Sequence, residues 1–382
     1  MNKSSDFRTL CVHAGELKDT QYGGAISPLY ASTSYNYDDV DIKQYPRYFN
    51  TPNQRGLCEK IAALEGAETG LIFGSGMAAV STALLSHLRS GDHVVFQDDI
   101  YGGTRNFIKK EFPKYGIEYS FTKGLNAADF KAKITPQTKG IYIETPSNPL
   151  LKITDLKAVS DLAKSESIWT MIDNTFASPV NQNPIAHGID IVIHSATKYL
   201  GGHSDISAGV VLASESIIEK VYESAKNLGG NLSEYTVWLL ERSIKTLYIR
   251  VQAQNKNAQL LSNFLQDQDW VREVYYPGLE SHKDHQIAKQ QMSGFGGMLS
   301  FNLAPGLDTK KFLKGLEMVK PTMSLAGIES TALSPRLTSH SLLSEEERQA
   351  QGITEQMVRF SAGIEAIEDI KTDVLQSITK IS

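Results

Sequence analysis

Five short apolar runs constrain this chain more than anything else in it. They are HVVFQ (93–97), GIYIE (140–144), IWTMID (168–173), IDIVIH (189–194) and GVVLA (209–213). Each is rich in β-branched residues and apolar at consecutive positions. That pattern belongs to strands covered on both faces, as in a parallel sheet. Between them lie segments at helical spacing over 76–88, 104–115 and 154–165, the last with Thr154 or Asp155 placed to cap it. Ahead of them, LCEKIAALEG puts Leu57, Ile61 and Leu64 on one helix face and closes on Gly66. Strand–helix alternation over about 150 residues predicts a doubly wound α/β fold.

The flanks read differently. Residues 1–54 show little periodicity and carry Tyr22, Tyr30, Tyr35, Tyr37, Tyr45 and Tyr48. Aromatics at that density are costly to leave in water, so the stretch reads as an extended arm lying across another surface. A large domain is expected over 55–240. Beyond it, a helical stretch at about 234–266 leads into shorter strands, VREVYYP and GGMLSFNL, and a last helix, IEDIKTDVLQSITKI. These predict a smaller C-terminal α/β domain over 241–382.

Composition narrows the function classes. Apolar residues at 41% and charged residues at 21% exclude a disordered, collagen-like or coiled-coil chain. Lys and Arg number 38 against 43 Asp and Glu, a net charge of −5, so there is no basic footprint for nucleic acid or anionic lipid. Cys11 and Cys58 are too few for a disulfide framework and lack metal-ligand spacing, which suits a reducing compartment. No apolar run approaches the roughly 18 residues of a membrane span. MNKSSDFRTL lacks the apolar stretch of a secretory signal. A cytoplasmic protein without nucleic-acid or membrane partners is expected.

Open α/β sheets bind ligands at the carboxyl ends of their strands, so the residues after each run carry the functional information. GIYIE is followed by Thr145-Pro146-Ser147-Asn148, IWTMID by Asn174-Thr175, and IDIVIH by Ser195-Ala196-Thr197-Lys198. Gly74-Ser75-Gly76-Met77 opens the helix at 76. These polar tips share one sheet edge and are expected to converge. A lysine held in such a crevice loses solvation, its pKa falls, and it becomes a nucleophile. Alone, Lys198 reads more simply as a surface lysine, and Asp173 as a turn or cap residue. Together they say more, because an aspartate at a neighbouring strand end can hold a protonated ring nitrogen. The GSGM stretch offers backbone N–H groups and a helix dipole to a phosphate, although a tight strand–helix turn reads the same way. Ser195 and Thr197 add hydroxyls, and Tyr101 presents a flat face to a ring. Cradle, aspartate, aromatic face and lysine describe one cofactor, pyridoxal phosphate, with its aldehyde in a Schiff base with Lys198. His282 and His285 lie three apart without a second ligand cluster, so no metal is expected.

HSATKYLGGHSD (194–205) resembles the lysine signature of the Cys/Met-metabolism family of pyridoxal-phosphate enzymes. That family includes cystathionine γ-synthase, cystathionine β- and γ-lyases, methionine γ-lyase and O-acetylhomoserine sulfhydrylase. TLCVHAG (9–15), FGSGMAA (73–79), YGGT (101–104), ETPSNP (144–149), DNTF (173–176), SLAGIES (324–330) and VRFSAGIE (358–365) extend the resemblance over nearly the whole chain. It implies a type I fold like that of aspartate aminotransferase: a large domain with a mainly parallel sheet, a smaller C-terminal α/β domain, and a homotetramer of two tight dimers. It implies that Lys198 is the Schiff-base lysine and proton shuttle, that Asp173 pairs with the pyridinium, and that Tyr101 stacks on the ring and assists proton transfer. Gly76, Met77, Ser195 and Thr197 would hold the phosphate. Tyr45 and Arg47 match the family's Tyr-x-Arg, which reaches the phosphate of the neighbouring subunit, with Tyr45 also near substrate. Arg359 would bind the substrate carboxylate, assisted by Asn148 and Ser324, in the bidentate geometry guanidinium favours.

Three departures from the family pattern stand out. Tyr-x-Arg continues as Asn50-Thr51-Pro52 instead of x-x-Asn-Pro-Thr, Ser-Leu-Gly-Gly becomes Ser324-Leu325-Ala326-Gly327, and the arginine after YGG sits one position early, at Arg105. For the reaction itself, Gly103 replaces the cysteine usual in methionine γ-lyases. Met323 replaces the glutamate that many γ-enzymes place before the serine, where it can bind a distal amino group. The expected activity is carbon–sulfur cleavage of cystathionine or a related sulfur amino acid in transsulfuration. Cystathionine γ-synthase or O-acetylhomoserine sulfhydrylase is the second reading, and a non-catalytic cofactor-binding protein a distant third.

Overall fold

The computed structural model describes residues 5–341 and 343–381, so the first four residues of the arm lie outside it. Seven strands build the larger sheet: β1 (Thr69–Phe73), β2 (His93–Phe96), β3 (Glu118–Phe121), β4 (Thr138–Glu144), β5 (Trp169–Asp173), β6 (Ile191–His194) and β7 (Gly209–Ala213). Their order is β1-β7-β6-β5-β4-β2-β3. The strands from β6 across to β3 are parallel, whereas β7 runs against both β6 and β1. A second sheet, wholly antiparallel, joins β8 (Val271–Tyr275), β9 (Met298–Leu303), β10 (Thr331–Leu333) and β11 (Met357–Ser361) in the order β10-β11-β9-β8.

The consecutive apolar residues of the central strands have the burial that their pattern predicts. Ile141, Ile143, Ile172 and Val192 enter one core, and their neighbours Tyr142, Met171, Ile191 and Ile193 enter another on the opposite face. Helices cover both faces, and the parallel strands deliver their carboxyl ends to a single edge.

The structure differs from the sequence reading in several places. The run GVVLA is a strand, but a reversed one, since a fully covered strand has the same composition in either direction. TGLIF (69–73) and EYSF (118–121) are additional strands, and the second is a half-exposed edge strand without a continuous apolar run. The 234–266 stretch is two helices, Glu234–Ile244 and Leu247–Gln266, broken at Lys245-Thr246. The helix after YGG runs Gly102–Glu111 and tightens into a 3-10 turn at Phe112–Tyr115, where Pro113 removes a donor. Asp155 caps Leu156–Ser165 by accepting from the Ala158 N–H at 2.9 Å, while the Thr154 hydroxyl donates to Gln97 instead. Gly66 ends the helix Pro52–Glu65 at φ 75°, the left-handed conformation glycine tolerates. Among the described residues, no helix is long and apolar enough to cross a membrane.

Candidate active site

The site begins at the amino end of the helix Gly76–His87. Ser75 caps it, its hydroxyl accepting from the Ala78 N–H at 3.1 Å. The following β6 loop packs so closely that a Cβ on Gly76 would stand 2.8 Å from the Ser195 Cβ. The result is a cradle at a helix start, where the first N–H groups have no acceptor within the helix, with the Ser195 and Thr197 side chains beside it.

Lys198 is carried by the tight turn after β6. Its N–H donates to the Ser195 carbonyl, and its carbonyl accepts from the Gly202 N–H at 2.7 Å. Gly202 has φ +69° and lies against the Arg250 guanidinium, so any Cβ there would collide. Buried Arg250 in turn donates to the carbonyls of Tyr199 and Leu200. This packing explains the Gly201-Gly202 pair after the lysine. Lys198 Nζ donates to the Ser324 hydroxyl at 2.8 Å. Burial, reinforced by the Arg359 charge, pushes its pKa down to about 8.

Asp173 closes β5 and accepts from the Thr175 N–H at 3.1 Å. Burial raises its pKa, while bonds from Thr175 and the charges of His194 and Lys198 oppose the rise. Arg359, in the middle of β11, donates to Asn148 Oδ1 at 3.1 Å and to the Ser324 carbonyl at 3.0 Å. It is buried, and burial brings its pKa down to about 10. The two sheets thus meet at this point, one supplying Lys198 and Asp173, the other Arg359.

One cavity of about 300 Å³ is lined by Gly76, Met77, Tyr101, Asn148, Asp173, Ser195, Thr197, Lys198, Ser324 and Arg359. Tyr45 and Arg47 do not line it. Arg47 donates to the Lys226 carbonyl at 2.6 Å and lies over the Tyr48 ring at 5.1 Å. The Tyr101 ring lies against Gly103, where a Cβ would come within 2.4 Å of it. Met323 lines the cavity yet is 72% exposed, so it is a mouth residue and not a packing one.

Sequence reasoning missed Glu144 as a site residue. It lines the same cavity, and its Oε2 accepts from the Tyr101 N–H at 2.7 Å. Burial and the adjacent Asp173 push its pKa well above the usual carboxylate range. Its place at the end of β4, equivalent to Asp173 on β5, was the available signal. Thr338 and Ser339 also reach the cavity, from a loop with no recognisable motif. Arg105, the displaced arginine, turns away from the cavity, pairing with Asp98 at 2.9 Å and lying 4.1 Å over the Phe121 ring.

Comparison with known proteins decides the family. The model of the Cys/Met metabolism PLP-dependent enzymes matches residues 8–379. The chain belongs to this family. It is therefore a pyridoxal-phosphate-dependent enzyme with the type I fold. Among its relatives, the cystathionine beta-lyase of Lactococcus lactis subsp. cremoris (strain MG1363) is 41% identical, covering 98% of this chain and all of that one. The cystathionine gamma-lyase of Bacillus subtilis (strain 168) is 40% identical, covering 98% of this chain and 99% of that one. The crystal structure of cystathionine gamma-lyase from Lactobacillus plantarum complexed with L-serine has a TM-score of 0.95 at 36% identity, covering 99% of each chain. The cavity's donor set fits the family's cofactor: a helix start with hydroxyls for a dianion, a buried carboxylate for a ring nitrogen, and a desolvated lysine for an aldehyde.

Proposed function

We propose that this member of the family cleaves the carbon–sulfur bond of cystathionine, with β-elimination as the preferred course. The convergence of Lys198, Asp173 and Arg359 in one cavity carries the reading. Relatives named for cystathionine cleavage support it.

When bound, pyridoxal phosphate supplies an electron sink conjugated to the substrate Cα. Gly76, Met77, Ser195 and Thr197 would hold its phosphate, Asp173 its ring nitrogen, and Lys198 its aldehyde carbon. Arg359 binds the substrate carboxylate, with Asn148 and Ser324 keeping the guanidinium in plane. Lys198 Nζ takes the α-proton, a role suited to an amine that loses its own proton near pH 8. Tyr101, which lines the cavity, would cover the ring and assist proton transfer to the departing sulfur. The Cβ–S bond breaks, and overall cystathionine and water give homocysteine, pyruvate and ammonia. Met323 offers no anion to a distal ammonium, which favours β- over γ-chemistry.

The arm over 1–54 is read as the element that joins copies of this chain into a homotetramer, with Tyr45 and Arg47 serving a neighbour's phosphate site. The remainder divides into a cofactor domain over 55–240 and a small domain over 241–382. A cytoplasmic location agrees with two buried free thiols, Cys11 and Cys58. Supplying cystathionine and identifying the keto acid tests the activity. Pyruvate with homocysteine is expected. Cysteine with 2-oxobutyrate would move the assignment to γ-cleavage, and condensation of cysteine with an activated homoserine ester would overturn it in favour of a synthase.

A further inference from the structure

At the carboxyl end of β6, outside the cavity lining, lies a buried acid–imidazole pair that the proposed chemistry does not use. Glu65 is the last residue of the helix Pro52–Glu65, and His194 is the last residue of β6. Glu65 Oε2 and His194 Nε2 are 3.0 Å apart, with side chains 0% and 1% exposed. The other carboxylate oxygen, Oε1, accepts from Asn174 Nδ2 at 3.2 Å. Asn174 is held in turn by Gln182, whose Nε2 donates to its Oδ1 at 2.9 Å.

The placement of these residues gives the pair its meaning. Asn174 directly follows Asp173, and His194 directly precedes Ser195. Their strands are neighbours, joined at this edge by the Asn174 N–H donating to the Ile193 carbonyl at 2.9 Å and the Ser195 N–H donating to Thr175 Oγ1 at 2.8 Å. One carboxylate therefore grips both loops of the site: the one that carries Asp173 and the one that carries Ser195, Thr197 and Lys198. A buried carboxylate is tolerated when it is paired and hydrogen-bonded.

We infer that the Glu65–His194 contact, with Asn174 on the same carboxylate, acts as a positioning unit for Asp173, keeping its carboxylate aimed at the pyridine nitrogen. The inference rests on reading the cavity as the pyridoxal phosphate site with Asp173 on that nitrogen. Asp173 is buried, and burial alone favours its neutral form. Replacing the Glu65 carboxylate weakens its hold on Asn174 and His194 together, and the loop that carries Asp173 loses its fixed register against the loop that carries Ser195 and Lys198.

The test uses holoenzyme loaded with pyridoxal phosphate carrying a heavy isotope in the ring nitrogen, read by NMR, in wild type and in Glu65→Gln. The substitution keeps the side-chain shape and removes the charge. We expect the ring-nitrogen resonance to move toward its neutral-pyridine position. The cofactor dissociation constant should rise roughly tenfold, the equivalent of about 1.4 kcal/mol of lost positioning. An unchanged resonance in cofactor-loaded Glu65→Gln, whatever happens to its melting temperature, overturns the positioning role alone. Wild-type protein that takes up no cofactor overturns the site reading and this inference together. If Glu65→Gln does not fold, His194→Gln, which removes the imidazole end of the contact, is read by the same two outcomes.

Discussion

At the scale of single residues, the site is a set of charges kept out of water. Arg359 uses one guanidinium nitrogen on Asn148 and another on the Ser324 carbonyl, which leaves its planar edge fixed toward the cavity. Lysine cannot reproduce that fork. Arg359→Lys should lower kcat/KM for cystathionine at least thirtyfold, from roughly 2 kcal/mol of lost paired-charge binding, as steady-state assays would show. Lys198 makes a second case. Its ammonium cannot attack an aldehyde, and burial beside Arg359 brings its pKa down to about 8. Cofactor uptake by the apoprotein, followed by absorbance, should accelerate as pH rises through about 8 and then level off. A rate flat across that range would mean that deprotonation of Lys198 does not limit capture. Ala326 makes a third. It replaces the usual glycine and sits at φ +63°, where a Cβ is strained. Ala326→Gly should raise stability by about 0.5 kcal/mol, the relief of strain exceeding the entropy cost of glycine, seen as a higher denaturation midpoint.

At the scale of elements, the phosphate cradle depends on how closely a helix start meets a loop. The Gly76–His87 amino end, the Ser195 loop and the start of β7 interlock there: Gly209 stands so near the Ser75 carbonyl that a Cβ would lie 2.2 Å from it. Gly76→Ala would force the helix start and Ser195 apart, at a cost of roughly 1–3 kcal/mol of overpacking. Titration with pyridoxal phosphate should show a dissociation constant raised by about tenfold or more. Wild-type affinity in this variant would mean the phosphate sits elsewhere. The elements also explain which parts of the sequence were readable. The five apolar runs became strands because covering both faces demands apolar residues at consecutive positions. EYSF, on the sheet's edge, lacks that demand and so lacks the signal.

At the scale of the whole molecule, the arm is the outstanding feature. Tyr22, Ile26, Tyr37 and Ile42 are 83%, 56%, 75% and 55% exposed in the single chain. Burying an aliphatic side chain of this kind is worth about 1.5–3 kcal/mol, so a second copy covering the arm would gain substantially. Arg47 lies outside its own chain's cavity, which gives a sharp test. Lys198→Ala and Arg47→Ala proteins, each impaired alone, should regain activity when mixed and allowed to exchange subunits. The hybrid then holds one site with both residues intact. No recovery in subunit-exchanged hybrids, confirmed by mass, would place Arg47 outside the neighbour's site.

The sequence by itself determined the α/β class, the strand-end clustering of Lys198, Asp173, Ser195 and Thr197, and the cofactor they suit. These follow from local rules: strand composition records burial on two faces, and strand ends share an edge whatever the loops do. Tertiary structure alone decided the reversal of β7, the arrival of Arg359 from a second sheet, the entry of Ser339 into the cavity, and the pairing of Glu65 with His194. Those contacts join residues far apart in the chain. No local pattern encodes them, because the free energy that fixes them comes from packing one sheet against another and from excluding water between them.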